Sequence, residues 1–212
     1  MTNAQSKPQH QQKKQPNKQK VQSYAIGYNV GTTFKQQGFN LDFNGLMKGI
    51  KDALNGDSMF TNDELNTILN SFQKEKFTQD ASANQKEAAD FLANNKKNPD
   101  VSTTQSGLQY KIDTKGTGTV SPTETDTVVV HYHGTLVDGS EFDSSYKRNQ
   151  PATFPVNGVI KGWTEALQLM KVGDEYTLYI PSELAYGEQG TPPLIGPYKL
   201  LIFKVKLEAI NP

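Results

Sequence analysis

At Asn98-Pro99-Asp100 the spacing of apolar residues switches from about four to two, so this chain must build helices before that point and strands after it. Thr61-Asn-Asp-Glu64 carries the signature of a capping box, and no proline or glycine follows until Pro99. One long helix over residues 61 to 98 is predicted, on the order of 50 Å at about 1.5 Å per residue. Its apolar face is clear at Leu65, Ile68, Leu69 and Phe72 and again at Ala88, Phe91 and Leu92. Between Gln73 and Glu87 the stripe fails except at Phe77 and a few alanines, which predicts a solvent-bathed strut holding two domains apart.

Two shorter helices are predicted upstream. From Ser23 to Gln37, Ile26, Val30 and Phe34 recur every fourth position beside Tyr24 and Tyr28. Near Leu41 to Leu54, Phe43, Leu46, Met47, Ile50 and Leu54 share one stripe, and Gly56 is a natural C-terminal stop. Helices this short have little core of their own, so self-association would bury what they expose. Gly27 and Gly31 stand four apart, although glycine inside a helix costs about 1 kcal/mol against alanine. The spacing points to another backbone close by, a partner chain in preference to the next helix of the same chain. Residues 1 to 20 hold five lysines, six glutamines and no acid, and cannot bury enough surface to offset chain entropy. Residues 1 to 21 are therefore expected to be a disordered basic arm, a solvated spacer before any lipid or nucleic-acid ligand.

In the second half the alternation assigns faces. Val128, Val130, Tyr132 and Leu136 point inward, with Val129, His131 and His133 on the other side. Tyr176, Leu178 and Ile180 share a face of another strand, as do Leu201, Phe203, Val205 and Leu207 of the last. Gly162 to Met170 reads as a short helix with Trp163, Leu167 and Met170 on one side, and Val172-Gly-Asp174 turns the chain onward. Antiparallel strands wrapped on one short helix make an α+β domain.

Several functions are excluded by what the chain contains. Its 22 basic and 22 acidic residues cancel, which gives nucleic-acid binding no support. Without cysteine there is no disulfide, thiolate chemistry or zinc ribbon. No stretch approaches the roughly 20 apolar residues of a membrane span, and Met1-Thr-Asn-Ala-Gln lacks the apolar core of a signal peptide. His131 and His133 share one side of a strand, but nothing nearby completes a coordination shell, so no metal is expected. Ser144 and Ser145 lack the glycines of a nucleophile turn, and Gly116-Thr-Gly118 lacks the third glycine of a dinucleotide loop and reads as a turn, so no cofactor is expected.

Val128-Val-Val-His-Tyr-His-Gly-Thr-Leu-Val-Asp-Gly-Ser-Glu-Phe-Asp-Ser-Ser145 precedes Val159-Ile-Lys-Gly-Trp163 and Ala185-Tyr-Gly187. Together these supply an apolar, aromatic pocket with one carboxylate and no nucleophile, which suits catalysis of a conformational change. The set closely resembles the FK506-binding-protein family of peptidyl-prolyl isomerases from Gly107 to Asn211, in family order. Within it the macrophage-infectivity-potentiator branch, with its helical dimerisation domain, is most similar; Ser23 to Gly38 resembles that domain's dimerisation segment.

The resemblance implies an isomerase domain over residues 99 to 212 with an antiparallel half-barrel sheet, preceded by a dimerisation domain over residues 22 to 60 and the connecting helix. It implies rotation of Xaa-Pro bonds in an apolar pocket, chaperone activity as a homodimer, and unfolded or proline-containing polypeptides as partners. Trp163 would be the floor, with Tyr132, Phe142, Phe154, Val159, Ile160 and Phe203 as walls. Tyr186 and the Ile160 amide would hold substrate carbonyls. Asp143 would be the pocket carboxylate, paired with Arg148, and Leu194 and Ile195 the apolar tip of a flap. Ala152, Gly158 and Thr191 depart from the family pattern, so the macrolides FK506 and rapamycin are less secure ligands than proline peptides, and Thr191-Pro-Pro193 should stiffen the flap. The branch implies a place in the periplasm, at the outer membrane or on the cell surface, while the residues themselves leave the cytoplasm open. The alternative function is a non-catalytic proline-peptide-binding chaperone or adhesion module.

Overall fold

The computed structural model describes residues 17 to 212, so the basic arm lies outside the described residues as far as residue 16. Its last part is helical instead. Asn17 accepts a hydrogen bond from the Gln19 amide at 3.0 Å and starts α1 (Lys18–Gln36), which takes in Lys18, Lys20 and Val21. In α2 (Phe43–Asn55) Asp42 accepts from the amides of Asn44 and Gly45 at 3.0 and 3.3 Å, and Gly56 closes the far end at φ 77°. Losing the Asp42 cap would cost about 1 kcal/mol.

These helices leave most of their apolar side chains in the open, although Phe34 and Leu46 are half-buried. Ile26, Val30, Phe43, Met47, Ile50 and Leu54 are exposed, and Leu54 reaches 83%. A Cβ placed on Gly27 or Gly31 would meet nothing within 4 Å, so the close backbone that the glycines imply is not another described part of this chain.

The chain divides into two compact units, one ending at Thr61 and the other running Asn62–Pro212. The break in packing thus precedes the long helix α3 (Asn62–Asn95), while the change of sequence pattern follows it. After α3 come β1 (Val101–Thr103), β2 (Gln109–Thr114), β3 (Thr127–Thr135), β4 (Glu141–Ser144), β5 (Ala152–Pro155), α4 (Lys161–Leu167), β6 (Glu175–Ile180) and β7 (Leu201–Ile210). The strands form one open antiparallel sheet in the order β1-β2-β6-β7-β3-β4, with β5 also paired to β3.

Alternation along the strands becomes alternation of burial. Val128, Val130, Leu178, Ile180, Leu201, Val205 and Leu207 are inaccessible, and α4 lays Trp163, Ala166 and Leu167 against them, with Met170 just beyond. Each such side chain contributes about 1.5–3 kcal/mol of burial. At the predicted turns the Asp174 carboxylate accepts from the amides of Gly116 at 2.6 Å and Lys171 at 2.9 Å, joining the two.

The solvent-bathed strut is corrected in part. From Gln73 to Gln79 the helix is exposed save at Lys76, but Ala81 and Asn84 are buried. Asn84 Nδ2 donates to the Pro197 carbonyl at 2.7 Å, and Glu87 pairs with Lys199 at 3.0 Å. Further along, buried Gln109 donates to the Leu92 carbonyl at 3.0 Å and accepts from Asn95 at 2.9 Å, while the Phe91 ring lies 5.7 Å from Tyr179. Ala81, Asn84 and Glu87 make the middle of this docking, so hydrophobic spacing registers only its far end, at Ala88, Phe91 and Leu92.

Candidate active site

Tyr132 sits where the partner edge of β3 is interrupted. β4 pairs with β3 at His133 to Thr135 and β5 at Thr127 to Val130, leaving Tyr132 without a strand partner on that side. Ser145 fills the place. Its hydroxyl accepts from the Tyr132 amide at 2.8 Å and its own amide donates to the Tyr132 carbonyl at 3.0 Å. The chain between β4 and β5 is therefore free to leave the sheet and carry Arg148 back over the tyrosine.

Gly134 shapes the next position. Any Cβ there would come within 2.8 Å of the rings of Phe142 and Phe203, so the missing side chain lets both rings cross β3. Phe203 then stands 5.2 Å from Trp163 and 6.3 Å from Tyr132, and Trp163 meets Tyr132 at 5.3 Å and Phe154 at 6.0 Å. The three contacts of Trp163 are edge-to-face, the geometry the ring quadrupoles favour. The rings hold the cavity open instead of collapsing into it.

That cavity has a volume of about 490 Å³ and is bordered by Tyr132, Asp143, Phe154, Gly158, Val159, Ile160, Trp163, Tyr186 and Phe203. Phe142, expected as a wall, stands back with its ring packed edge-on against Phe203 at 5.2 Å. Arg148 does not border the space but reaches its carboxylate. Leu194 is 60% exposed at the tip of the loop after Tyr186, and Ile195 differs from expectation because it turns into the core at 4%. A second hollow of about 500 Å³ lies among Glu124, Asn157, Lys161, Glu165 and Gln168, without an aromatic wall.

Three polar groups lock together at one side of the cavity. The Tyr132 hydroxyl donates to Asp143 at 2.5 Å, and Arg148 donates to Asp143 and to the Tyr132 oxygen, both at 2.6 Å. Burial alone pushes the Asp143 carboxyl up, but the hydrogen bonds from Tyr132 and Arg148 and the guanidinium charge outweigh it and hold the group below the usual carboxylate range. Asp143 is thus a fixed anion at neutral pH. Burial, then the Asp143 hydrogen bond, raises the Tyr132 phenol; burial, then the Asp143 charge, raises Tyr186. Both phenols stay protonated and can donate.

Three donors of residues that border the cavity are unspent. Among the described residues neither the Tyr186 hydroxyl nor the Ile160 amide is engaged, and the Trp163 indole N–H is buried without a partner. His131 and His133 have separate partners, Ser145 at 3.0 Å and Glu141 at 2.8 Å. An apolar hollow with free donors and no positioned nucleophile can bind a carbonyl-bearing ring and strip its water; it is not equipped to break a bond.

Comparison with known proteins decides the family. The model of the FKBP-type peptidyl-prolyl cis-trans isomerase matches residues 118–208, and that of the domain amino-terminal to it matches residues 18–112. The Outer membrane protein MIP of Legionella longbeachae is 42% identical over 197 residues, covering 89% of this chain and 84% of that protein. The chain belongs to the FKBP-type peptidyl-prolyl cis-trans isomerases. Within the family it falls on the Mip and FkpA branch. FkpA of Aeromonas hydrophila is 44% identical over 202 residues, covering 89% of this isomerase and 75% of its own length. The crystal structure of FkpA from Escherichia coli superposes with a TM-score of 0.68 at 36% identity, over 92% of this chain and 98% of that one. The isomerase accelerates Xaa-Pro rotation, and the ring-walled cavity of its FKBP domain is the candidate place. The strand-replacing role of Ser145 and the room made by Gly134 are not legible in the sequence, since a lone serine or glycine in a strand-rich segment carries no spacing signal.

Proposed function

We propose that the cavity lays the proline ring against the Trp163 indole, with Tyr132, Phe154, Val159, Ile160 and Phe203 around it. The Tyr186 hydroxyl and the Ile160 amide hold the substrate carbonyls that flank the ring. The observation that carries this reading is that the Tyr186 hydroxyl and the Ile160 amide stand unengaged on an aromatic-walled hollow. Rotation in water is slow because conjugation across the C–N bond must be lost, and water stabilises the planar, charge-separated amide most. Excluding water raises that planar form relative to the twisted one, and fixed donors then favour the geometry near the top of the barrier. Asp143, tied to Tyr132 and Arg148, orients the wall and sets the local field; it takes no proton. Since Arg148 and Asp143 are half exposed, their pairing adds geometry more than stability.

Residues 22 to 60 join two copies, and the cleft between the copies holds unfolded clients. The bare apolar stripes of α1 and α2 and the open space at Gly27 and Gly31 support this. Macrolides such as FK506 and rapamycin are secondary ligands, because Ala152 and Gly158 depart from the family pattern with small residues. A place in the cell envelope is consistent with the name of the Legionella longbeachae relative. A protease-free assay on Xaa-Pro peptides tests the site. The unaltered chain should outpace buffer, and Asp143→Leu should lose about tenfold in kcat/KM; equal rates for the two proteins would remove Asp143 from the site.

A further inference from the structure

Asn84 is an unexpected residue to bury on a helix that is otherwise largely exposed. Asparagine is a weak helix former, and a buried amide costs stability unless it is paired. It is 9% exposed, and its Nδ2 donates to the Pro197 carbonyl at 2.7 Å. One turn further along the same face, Glu87 pairs with Lys199 at 3.0 Å. Both partners lie on the returning limb of the loop that carries Tyr186 and Leu194. Gly196 is close enough that a Cβ there would meet Asn84 Nδ2 at 3.6 Å.

The loop's own bonds pass this hold to its working residues. The Tyr198 amide donates to the Gly187 carbonyl at 3.0 Å, next to Tyr186, and the Gly190 amide donates to the Tyr186 carbonyl at 3.2 Å. Thr191 and Ile195 exchange two backbone hydrogen bonds, at 2.8 and 3.1 Å, directly below Leu194 at the tip. The outgoing limb is tied to the sheet domain where the Gly187 amide donates to the Ser182 carbonyl at 2.8 Å. Asn84 and Glu87 tie the returning limb to α3. A shift of α3 along its docking surface would therefore move Pro197 first, then Tyr198, and through them Tyr186 and the tip.

We propose that Asn84 is a positioning residue for the isomerase: α3, through the Pro197 carbonyl, sets the loop that places Tyr186 and Leu194 over the cavity. This rests on the reading of Tyr186 and Leu194 as substrate contacts. Loosening the loop weakens ground state and transition state alike, so it raises KM and leaves kcat in place.

The test is Asn84→Ala in the full chain. It reads kcat and KM in the protease-free assay, affinity for a proline peptide from the emission of Trp163, the single tryptophan, and hydrogen exchange at Thr191, Ile195 and Tyr198. The expected result is KM raised about three- to tenfold with kcat within about twofold, a matching loss of peptide affinity, and faster exchange at the three amides. Combined with Tyr186→Phe, the effect on KM should fall short of the product of the two single effects, as residues acting through one loop require. A merely structural role would lower the melting temperature and leave KM alone. Unchanged KM in a folded Asn84→Ala protein, with or without faster exchange, overturns the assignment. Tyr186→Phe with unaltered KM would instead remove the reading of Tyr186 as a contact. Should Asn84→Ala not fold, Lys199→Met loosens the same limb from the surface, and there unchanged KM and exchange count against the proposal.

Discussion

Helices α1 and α2 and the sheet around α4 follow equally regular apolar patterns, yet they reach opposite ends. In the sheet around α4 the pattern is consumed within the chain: Leu178 and Leu207 are inaccessible, and α3 docks from Ala81 onward, although Leu65, Ile68 and Leu69 at its start stay exposed. In the unit ending at Thr61, Phe43, Ile50 and Leu54 share a stripe as clear as any and remain exposed. The difference teaches that periodicity reports a demand for burial and leaves open which chain meets it. A strand-rich domain that closes on its own can work alone; two short helices cannot.

The comparison can be broken at either end. Leu178→Ala should destabilise the sheet unit by about 2–5 kcal/mol in a denaturant titration, because it empties a packed position. Leu54→Ala should change stability by less than about 0.5 kcal/mol at high dilution, and more as concentration rises if a second copy covers it. Equal losses at both positions would erase the distinction between the units.

Fragments sharpen it. A fragment ending near Asn98 should dimerise by light scattering and one starting near Asp100 should stay monomeric and active, the reverse result overturning the division of labour. A fragment starting at Asn62 should bind proline peptide a few-fold more tightly than one starting at Asp100, because only the longer keeps Asn84 and Glu87 on the loop. Matching affinities would mean that α3 docks without serving the site.

How much of this was legible in the sequence depends on the kind of residue involved. Tyr132, Trp163, Leu178 and Phe203 were placed correctly on inward faces because apolar residues at period two or four reveal the side they bury. The ring-walled cavity was legible only through the ordered motifs, since a buried tryptophan alone reads as core. Ser145, standing in for a missing strand, and Gly134, making room for two rings, gave no periodic signal. Neither did Asn84 and Gln109, which dock α3 by hydrogen bonds to residues distant in the chain. Ile195 turns into the core and Phe142 packs edge-on against Phe203, an arrangement that only the folded chain displays.

The central claim is that rotation is driven by an apolar cavity and fixed donors, with no proton passed. The dependence of kcat/KM on pH tests it most directly. Asp143 is held below the ordinary carboxylate range and the Tyr132 and Tyr186 phenols above theirs, so Asp143 gains its proton only in acid and the phenols lose theirs only in strong base. The account predicts a flat profile from about pH 5 to about pH 9. A limb of about tenfold per pH unit inside that window, absent in Asp143→Asn, would make the carboxylate a proton carrier and contradict it.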